Sequence, residues 1–550
     1  MKKPDIKKMT LREKIAQTCI VRQSDLLMHA DSAYTKLRDP SEAAELMGKY
    51  QFGGIWSHGN EDVNQVGSEL YKQFRFTSTK YIDWLSRFEK VMKIPFICAN
   101  DVRGVRAFED LSPVVSGLIV GAVNDEKIAF ELGKCLANEQ KSFGCNWLWS
   151  PMADIINRFA SGIVRPFSND KDTLVCLADA YIKGIQSVGV AATAKHFPGA
   201  DPTEKRDAHI VTTYVRTSYE EWEKNQGEIF KKLIDNGVYT IMSATRAFPA
   251  VDDTKVGGKY LPATLSHKIV TGLLKEKLGF EGVVITDDST MGGYTSFYPH
   301  DRLYVEFLKA GNDMLLGVGV DAVDIIEQGV ARGDLSEDRI DDACQRVLNL
   351  KEKLGLFEDS YKRDCVKIED VKPETEKILR KVAEKGITLL RDSNSLLPLD
   401  CEKVKNVKII CHTHDESVFE KLNVMKSAFE KRGACVTMQR RLANWADAEA
   451  VAAENDLIVY VGYLYFHAPK GAPSFYGEEQ WAFRYAFTAG KEKSIGVSLG
   501  YPYIHYDFMD ECPTFVNGYN PTPETQEAFV SAIYGEIPFC GKTPVDLNME

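Results

Sequence analysis

"AATAKHFPGADPTEKRDAHI", residues 191–210, joins a short apolar run to a charged loop through a Lys-His pair and a Pro-Gly turn. The opening run, "AATAK", is short, apolar and closed by turn residues, as a strand buried on both faces should be. Seven further runs of this kind occur in the first 358 residues: "TCIVR" (18–22), "GGIWS" (53–57), "PFICAN" (95–100), "NWLWS" (146–150), "YTIMSA" (239–244), "VVITD" (283–287) and "DMLLG" (313–317). Between them lie amphipathic stretches. In "LSHKIVTGLLKEKLG", Ser266 is placed to cap a helix, Ile269, Leu273 and Leu274 share a face, and Gly279 supplies the stop. "LSEDRIDDACQRVLNLKEKLGLF" puts Ile340, Cys344, Val347, Leu348 and Leu354 on one stripe behind Ser336. Eight strand–helix units over about 350 residues predict a (β/α)8 TIM-type barrel.

A polar connector over 359–375 separates this barrel, residues 1–358, from renewed alternation over 376–550. "VKIICH" (407–412), "DLIVYVG" (456–462) and "KSIGVSLG" (493–500) are near-continuous apolar runs. They predict a smaller α/β sandwich domain, and no glycine-rich phosphate loop follows a strand there. With 550 residues, one core would be too large, so two domains are the natural reading.

A formal charge of -11 argues against nucleic acid or an anionic membrane as partner. The Lys pairs at the N-terminus precede no apolar stretch of the kind a secretory signal needs, and no run approaches a transmembrane span. The 12 cysteines are scattered singly, without a CxxC pair, as in a reduced cytoplasmic protein. "CHTHD" (411–415) has metal-ligand residue types but no second cluster, and reads as an ordinary loop. The aromatic stretch 462–481 reads as packing and turn chemistry.

In a barrel of this type the chemistry sits at the C-terminal ends of the strands. Polar residues crowd those ends: Asp101 after strand three, Lys195 and His196 after strand five, Ser243 and Arg246 after strand six, Asp287 and Asp288 after strand seven. Each has an ordinary alternative. The Asp pair could cap a helix, Lys195 could close a strand as an ion-pair partner, and His196 could be a satisfied core histidine. Asp207 and His209 could lie on a solvated loop. Together they suit displacement at an anomeric carbon, with one carboxylate attacking and a second group protonating the leaving oxygen. Histidine titrates near neutrality, and Asp207, two residues before His209, could orient the ring and stabilise its charged form.

These residues resemble glycoside hydrolase family 3, and within it the β-N-acetylglucosaminidase branch. "VGVAATAKHFPG" (188–199) is similar to the family signature, and "PATLSHKIVTGLLKEKLGFEGVVITDDSTMGG" (262–293) to its nucleophile block. "NWLWSPMADI", "RPFSND", "GITLLRDSNSLLPL" and "PFCGKTPVDL" extend the resemblance over nearly the whole chain. It implies Asp287 as nucleophile, with Asp207 and His209 of "RDAH" as an acid/base dyad. Asp101, Arg165, Lys195 and His196 would bind the sugar. Arg246 joins them as a binding group near the place of a family histidine after strand six.

The resemblance further implies a retaining mechanism, no metal or organic cofactor, and a small carbohydrate substrate of the peptidoglycan- or chitin-fragment type, acted on by a monomer or homodimer. Two departures bear on the sugar. "NDVRGVR" (100–106) carries Arg103 and Val105 where the family pattern has Glu and Gly, and the loop before "RDAH" is longer than in many relatives. Phosphorolysis instead of hydrolysis, or a β-glucoside substrate, would use the same groups. Outside this chemistry stand an imine-forming Lys195 and a non-catalytic sugar-binding protein.

Overall fold

The computed structural model describes residues 2–28, 38–57, 76–101, 108, 110–155, 158–159, 162–464 and 474–547. The chain falls into two compact units, and neither is continuous in sequence. The first comprises Met1–Val114, Ala129–Ile155 and Ala178–Thr375; the second comprises Val115–Ile128, Ile156–Leu177 and Glu376–Glu550. Two stretches expected in the barrel domain therefore group with the second unit. The expected connector groups with the first, where the buried Arg363 donates to Gly144 O and Phe96 O at 2.8 Å.

The first unit is the expected barrel. Its strands are β1 Cys19–Arg22, β2 Gly54–Trp56, β3 Ile97–Asn100, β4 Trp147–Leu148, β5 Ala191–Phe197, β6 Thr240–Ser243, β7 Val283–Thr286 and β8 Leu315–Val318. They pair in parallel in the order β7-β6-β5-β4-β3-β2-β1-β8. A single bridge, Ile285 with Met314, nearly closes the ring between β7 and β8. Residues two apart, such as Ile97 and Ala99 or Val283 and Ile285, face inward into one cluster with Trp147 and Trp149. Trp147 fills the interior at no polar cost, because its indole N–H donates to Thr193 and Thr240 hydroxyls at 2.8 and 2.9 Å.

The helix Glu337–Lys353 begins after Ser336, whose hydroxyl accepts from Arg339 N–H. It buries Ile340, Cys344, Val347 and Leu348 completely. On the same helix Lys351 is fully buried, with its ammonium donating to Gln17 Oε1 at 2.5 Å. Burial pushes this amine down to about 7 from an ordinary 10.5. Below pH 7 both folded and unfolded states hold the proton and the burial cost is constant. From about pH 7 to 10.5 only the unfolded state holds it, so stability rises with pH. Lys351→Met is therefore expected to stabilise the protein by about 1–3 kcal/mol at pH 6, with the gain shrinking towards pH 10. Thermal melts across that range measure it, and a pH-independent difference would contradict the burial argument.

The second unit is built on a six-stranded mixed sheet: β9 Thr388–Asp392, β10 Asn406–Thr413, β11 Cys435–Arg440, β12 Leu457–Tyr463, β13 Ser494–Ser498 and β14 Thr514–Asn517. The order is β9-β14-β13-β12-β10-β11, with β9 antiparallel and every other pair parallel. The three apolar runs read from sequence are β10, β12 and β13, three of the four strands with neighbours on both sides; the fourth is β14. "CHTHD" begins inside β10 and not in a loop. His412 there is fully buried, stacks on Phe483 at 4.0 Å, and is pushed down to about 3 by burial. It is a packing residue. No described helix is long and apolar enough to cross a membrane.

Candidate active site

Strand β5 breaks register against β6 between Lys195 and Phe197. Successive residues on a regular strand point to opposite faces, and a bulge re-aims one of them. Here both members of the Lys-His pair are buried, and each meets a carboxylate beyond the end of another barrel strand. Lys195 Nζ donates to Asp101 Oδ2, beyond the end of β3, at 2.9 Å. Lys195 is thus held in an ion pair with Asp101.

His196 Nδ1 lies 2.8 Å from Asp154 Oδ2, and its backbone N–H points at Oδ1. Asp154, beyond the end of β4, is fully buried. Arg246 grips both of its oxygens, at 2.6 and 3.0 Å, and reaches His196 O at 3.3 Å. Burial alone would raise the Asp154 carboxyl, but Arg246 and His196 outweigh it and hold it far below the usual carboxylate range. Arg246, expected as a sugar-binding group, thus has its guanidinium committed to Asp154.

Asp287 and Asp288 follow β7 and divide their work. Asp288 takes the turn-capping role, accepting from Thr290 N–H at 2.9 Å, and is clamped by Arg22 from the end of β1. Arg22 also donates to Thr290 Oγ1 at 2.7 Å and lies over the Trp56 ring. The clamp passes over Gly317, φ +71°, where a Cβ would stand 2.8 Å from Arg22 Nε. Asp287 is half-buried, its backbone N–H donates to Ser243 O at 3.1 Å, and its Oδ1 accepts from Asp288 N–H at 2.9 Å. Beneath it lies the buried Tyr294, whose phenol is driven far up by burial and then by the Asp287 charge. Ser243 is fully buried and donates to Asn312 Oδ1 at 2.7 Å.

The charged loop after β5 is tied down by its own acids. Asp201 accepts from Thr203 N–H at 2.7 Å and Arg216 N–H at 2.5 Å. Glu204 accepts from Arg206 Nε and Nη2 at 2.9 and 2.6 Å and from Tyr214 N–H at 3.1 Å. Burial opposes ionisation of Glu204, yet these donors bring it down to about 2. The loop then presents Asp207 and His209. His209 Nδ1 is 2.7 Å from Asp207 Oδ1, which also accepts the His209 backbone N–H at 2.8 Å. The Asp207 carboxyl is 2 % exposed and the His209 side chain 39 % exposed, so the pair is anchored at one end and open at the other.

This loop is seated on the segment that follows Asp287. Gly292 N–H donates to His209 O at 3.0 Å, and Thr212 Oγ1 to Gly293 O at 3.0 Å. A Cβ on Gly292 would lie 2.3 Å from Ile210 O. Gly292→Ala is expected to lift the His209 loop and lower kcat by roughly 10- to 100-fold, in line with misplacement of about 1 Å at a reacting group. Turnover with an unchanged melting temperature is the measurement, and wild-type kcat would show that the seat is unimportant.

The structure thus gathers Asp101, Lys195, His196, Arg246, Asp207, His209 and Asp287 in the barrel unit, and places Arg165 in the second unit. Residues 102–107 and 465–473, which hold the altered third-strand motif and much of the aromatic stretch, lie outside the described residues. Reading the sequence missed Asp154 and Arg22. The signal for Asp154 was positional, since it follows β4 as Asp101 follows β3. Arg22 is the last residue of β1 and could have been found in the same way.

The family model described as Glycosyl hydrolase family 3 N terminal domain matches residues 10–350. A beta-N-acetylglucosaminidase/beta-glucosidase of Cellulomonas fimi is 25% identical over 485 residues, covering 84% of this chain and 85% of that protein. A beta-hexosaminidase of Nitrosomonas eutropha is 32% identical over 235 residues, 40% of this chain and 64% of its own length. Among solved structures, the beta-glucoside phosphorylase BglX superposes with a TM-score of 0.82 at 24% identity, covering 98% of this chain and 94% of that one. A family 3 beta-N-acetylglucosaminidase from Paenibacillus sp. str. FPU-7 does so with 0.80 at 23% identity, covering 98% and 100%.

Proposed function

Because the chain belongs to glycosyl hydrolase family 3, we propose that it is a retaining β-glycosidase that removes terminal β-linked N-acetylglucosamine from small carbohydrate fragments in the cytoplasm. The observation that carries this reading is the Asp207–His209 pair, hydrogen-bonded at 2.7 Å and seated on the segment following Asp287. Asp287 attacks the anomeric carbon while His209 gives its proton to the leaving oxygen, forming a glycosyl ester. His209 then takes a proton from the incoming acceptor, whose oxygen displaces Asp287. Asp207 holds the His209 ring and balances its positive charge. Lys195, Asp101 and His196 grip the sugar hydroxyls, and Arg165 is assigned to the same task by the resemblance alone.

A histidine base brings a further consequence. Neutral imidazole does not repel an anionic acceptor as a carboxylate base would, so phosphate competes with water in the second step. Nitrophenol release from the β-N-acetylglucosaminide, beside the matching β-glucoside and with or without phosphate, tests the proposal. Release from the acetamido sugar alone supports it, and a sugar phosphate product makes the enzyme a phosphorylase. Release from the glucoside alone replaces the sugar but keeps the catalytic groups. No release from either leaves a non-catalytic sugar-binding protein.

A further inference from the structure

Three strand ends converge on one carboxylate in this barrel, and that carboxylate never reaches solvent. Asp154 receives Arg246 Nη1 and His196 N–H on Oδ1, and His196 Nδ1 and Arg246 Nη2 on Oδ2. An ionised carboxylate only accepts hydrogen bonds. The His196 Nδ1 at 2.8 Å must therefore carry a proton and donate it.

We propose that Asp154 is the positioning residue of the sugar-binding histidine: it fixes His196 in the Nδ1-protonated form, with Nε2 as the ring nitrogen that addresses the substrate, and Arg246 keeps Asp154 charged for that task. The sequence neighbour of His196, Lys195, is paired with Asp101. No other described residue hydrogen-bonds the Asp154 oxygens, and replacing its charge removes the carboxylate that pairs with the half-buried Arg246.

The polarity of the contact follows. A neutral His196 with Nδ1–H presents a lone pair at Nε2, so it accepts a hydrogen bond and requires a partner that donates. A sugar hydroxyl fulfils this, whereas fluorine at the same position offers no proton. The site would then discriminate a hydroxyl from its fluoro analogue at one ring position, beyond what size alone dictates. This consequence rests on the glycosidase reading above; the fixed tautomer does not.

The test is long-range 15N–1H NMR of protein labelled at its histidines, with the His196 signals identified by their loss in His196→Gln. At pH 7–8 the intact protein is expected to show His196 protonated at Nδ1 alone. Asp154→Asn and Arg246→Met are each expected to shift it towards the Nε2-protonated form, and Asp154→Asn to lower kcat/KM by about 10- to 100-fold, as loss of an orienting partner does elsewhere. An Nε2-protonated or doubly protonated His196 in the intact protein overturns the assignment, as does an unchanged ring in folded Asp154→Asn. Should Asp154→Asn fail to fold, the intact protein's tautomer still decides. If that tautomer is as expected and no glycoside is turned over, the functional reading fails and the positioning role stands.

Discussion

Replacing Asp287 with asparagine is expected to lower kcat on an N-acetylglucosaminide by at least about 10⁴-fold, the scale of losing a covalent nucleophile. The substitution keeps the shape of the side chain. Its amide oxygen can still accept from Asp288 N–H, the bond that orients Oδ1 at 2.9 Å. Asp287 is half-buried and makes no salt bridge in the described structure, so little stability should be lost with its charge. On the proposed mechanism, what disappears is the electron pair that attacks the anomeric carbon and the fixed negative charge facing an oxocarbenium-like transition state. Single-turnover and steady-state rates beside a thermal melt separate these effects. A variant within tenfold of wild type would exclude Asp287 as nucleophile. Its neighbour Asp288, already capping the turn and clamped by Arg22, would be a poor substitute.

Alanine at His209 is expected to act unequally on different leaving groups. For a β-linked disaccharide, whose alkoxide needs a proton as it departs, the loss should be about 10²- to 10⁴-fold. A nitrophenolate leaves without help, so formation of the glycosyl ester should be nearly spared. The second step still lacks its base, and a rapid burst of nitrophenol followed by slow turnover is the expected trace. His209 is the open end of its pair, with a side chain 39 % exposed over a carboxylate 2 % exposed, so its removal should cost little stability. Equal losses on both substrates, with no burst, would remove His209 from the acid/base role.

Much of the barrel was legible because its strands are buried on both faces. Such strands read as short apolar runs, and all eight runs became β1 to β8. The second sheet was legible only at its centre. β10, β12 and β13 are longer apolar runs with neighbours on either side; β14 is equally central but only four residues long, and the edge strand β11 mixes exposed and buried residues. The division at 375/376 was legible, but the two earlier stretches that leave the barrel were not. Val115–Ile128 and Ile156–Leu177 group with the second unit although barrel sequence surrounds them. Packing partners that distant leave no mark on local periodicity.

The sequence by itself determined the ring of polar residues at the strand ends, because strand direction puts every C-terminal end on one rim. It also determined the Asp-x-His pair, since two residues in one turn can meet without help from the rest of the chain. Tertiary structure alone decided what those groups do to one another. Asp154 and Arg246 are 92 residues apart, and Arg22 and Asp288 are 266 apart. A carboxylate reads the same in sequence whether it faces water or a buried guanidinium. Only the fold sets which charge lies within reach, and at atomic contact that choice outweighs what the residue type prefers alone.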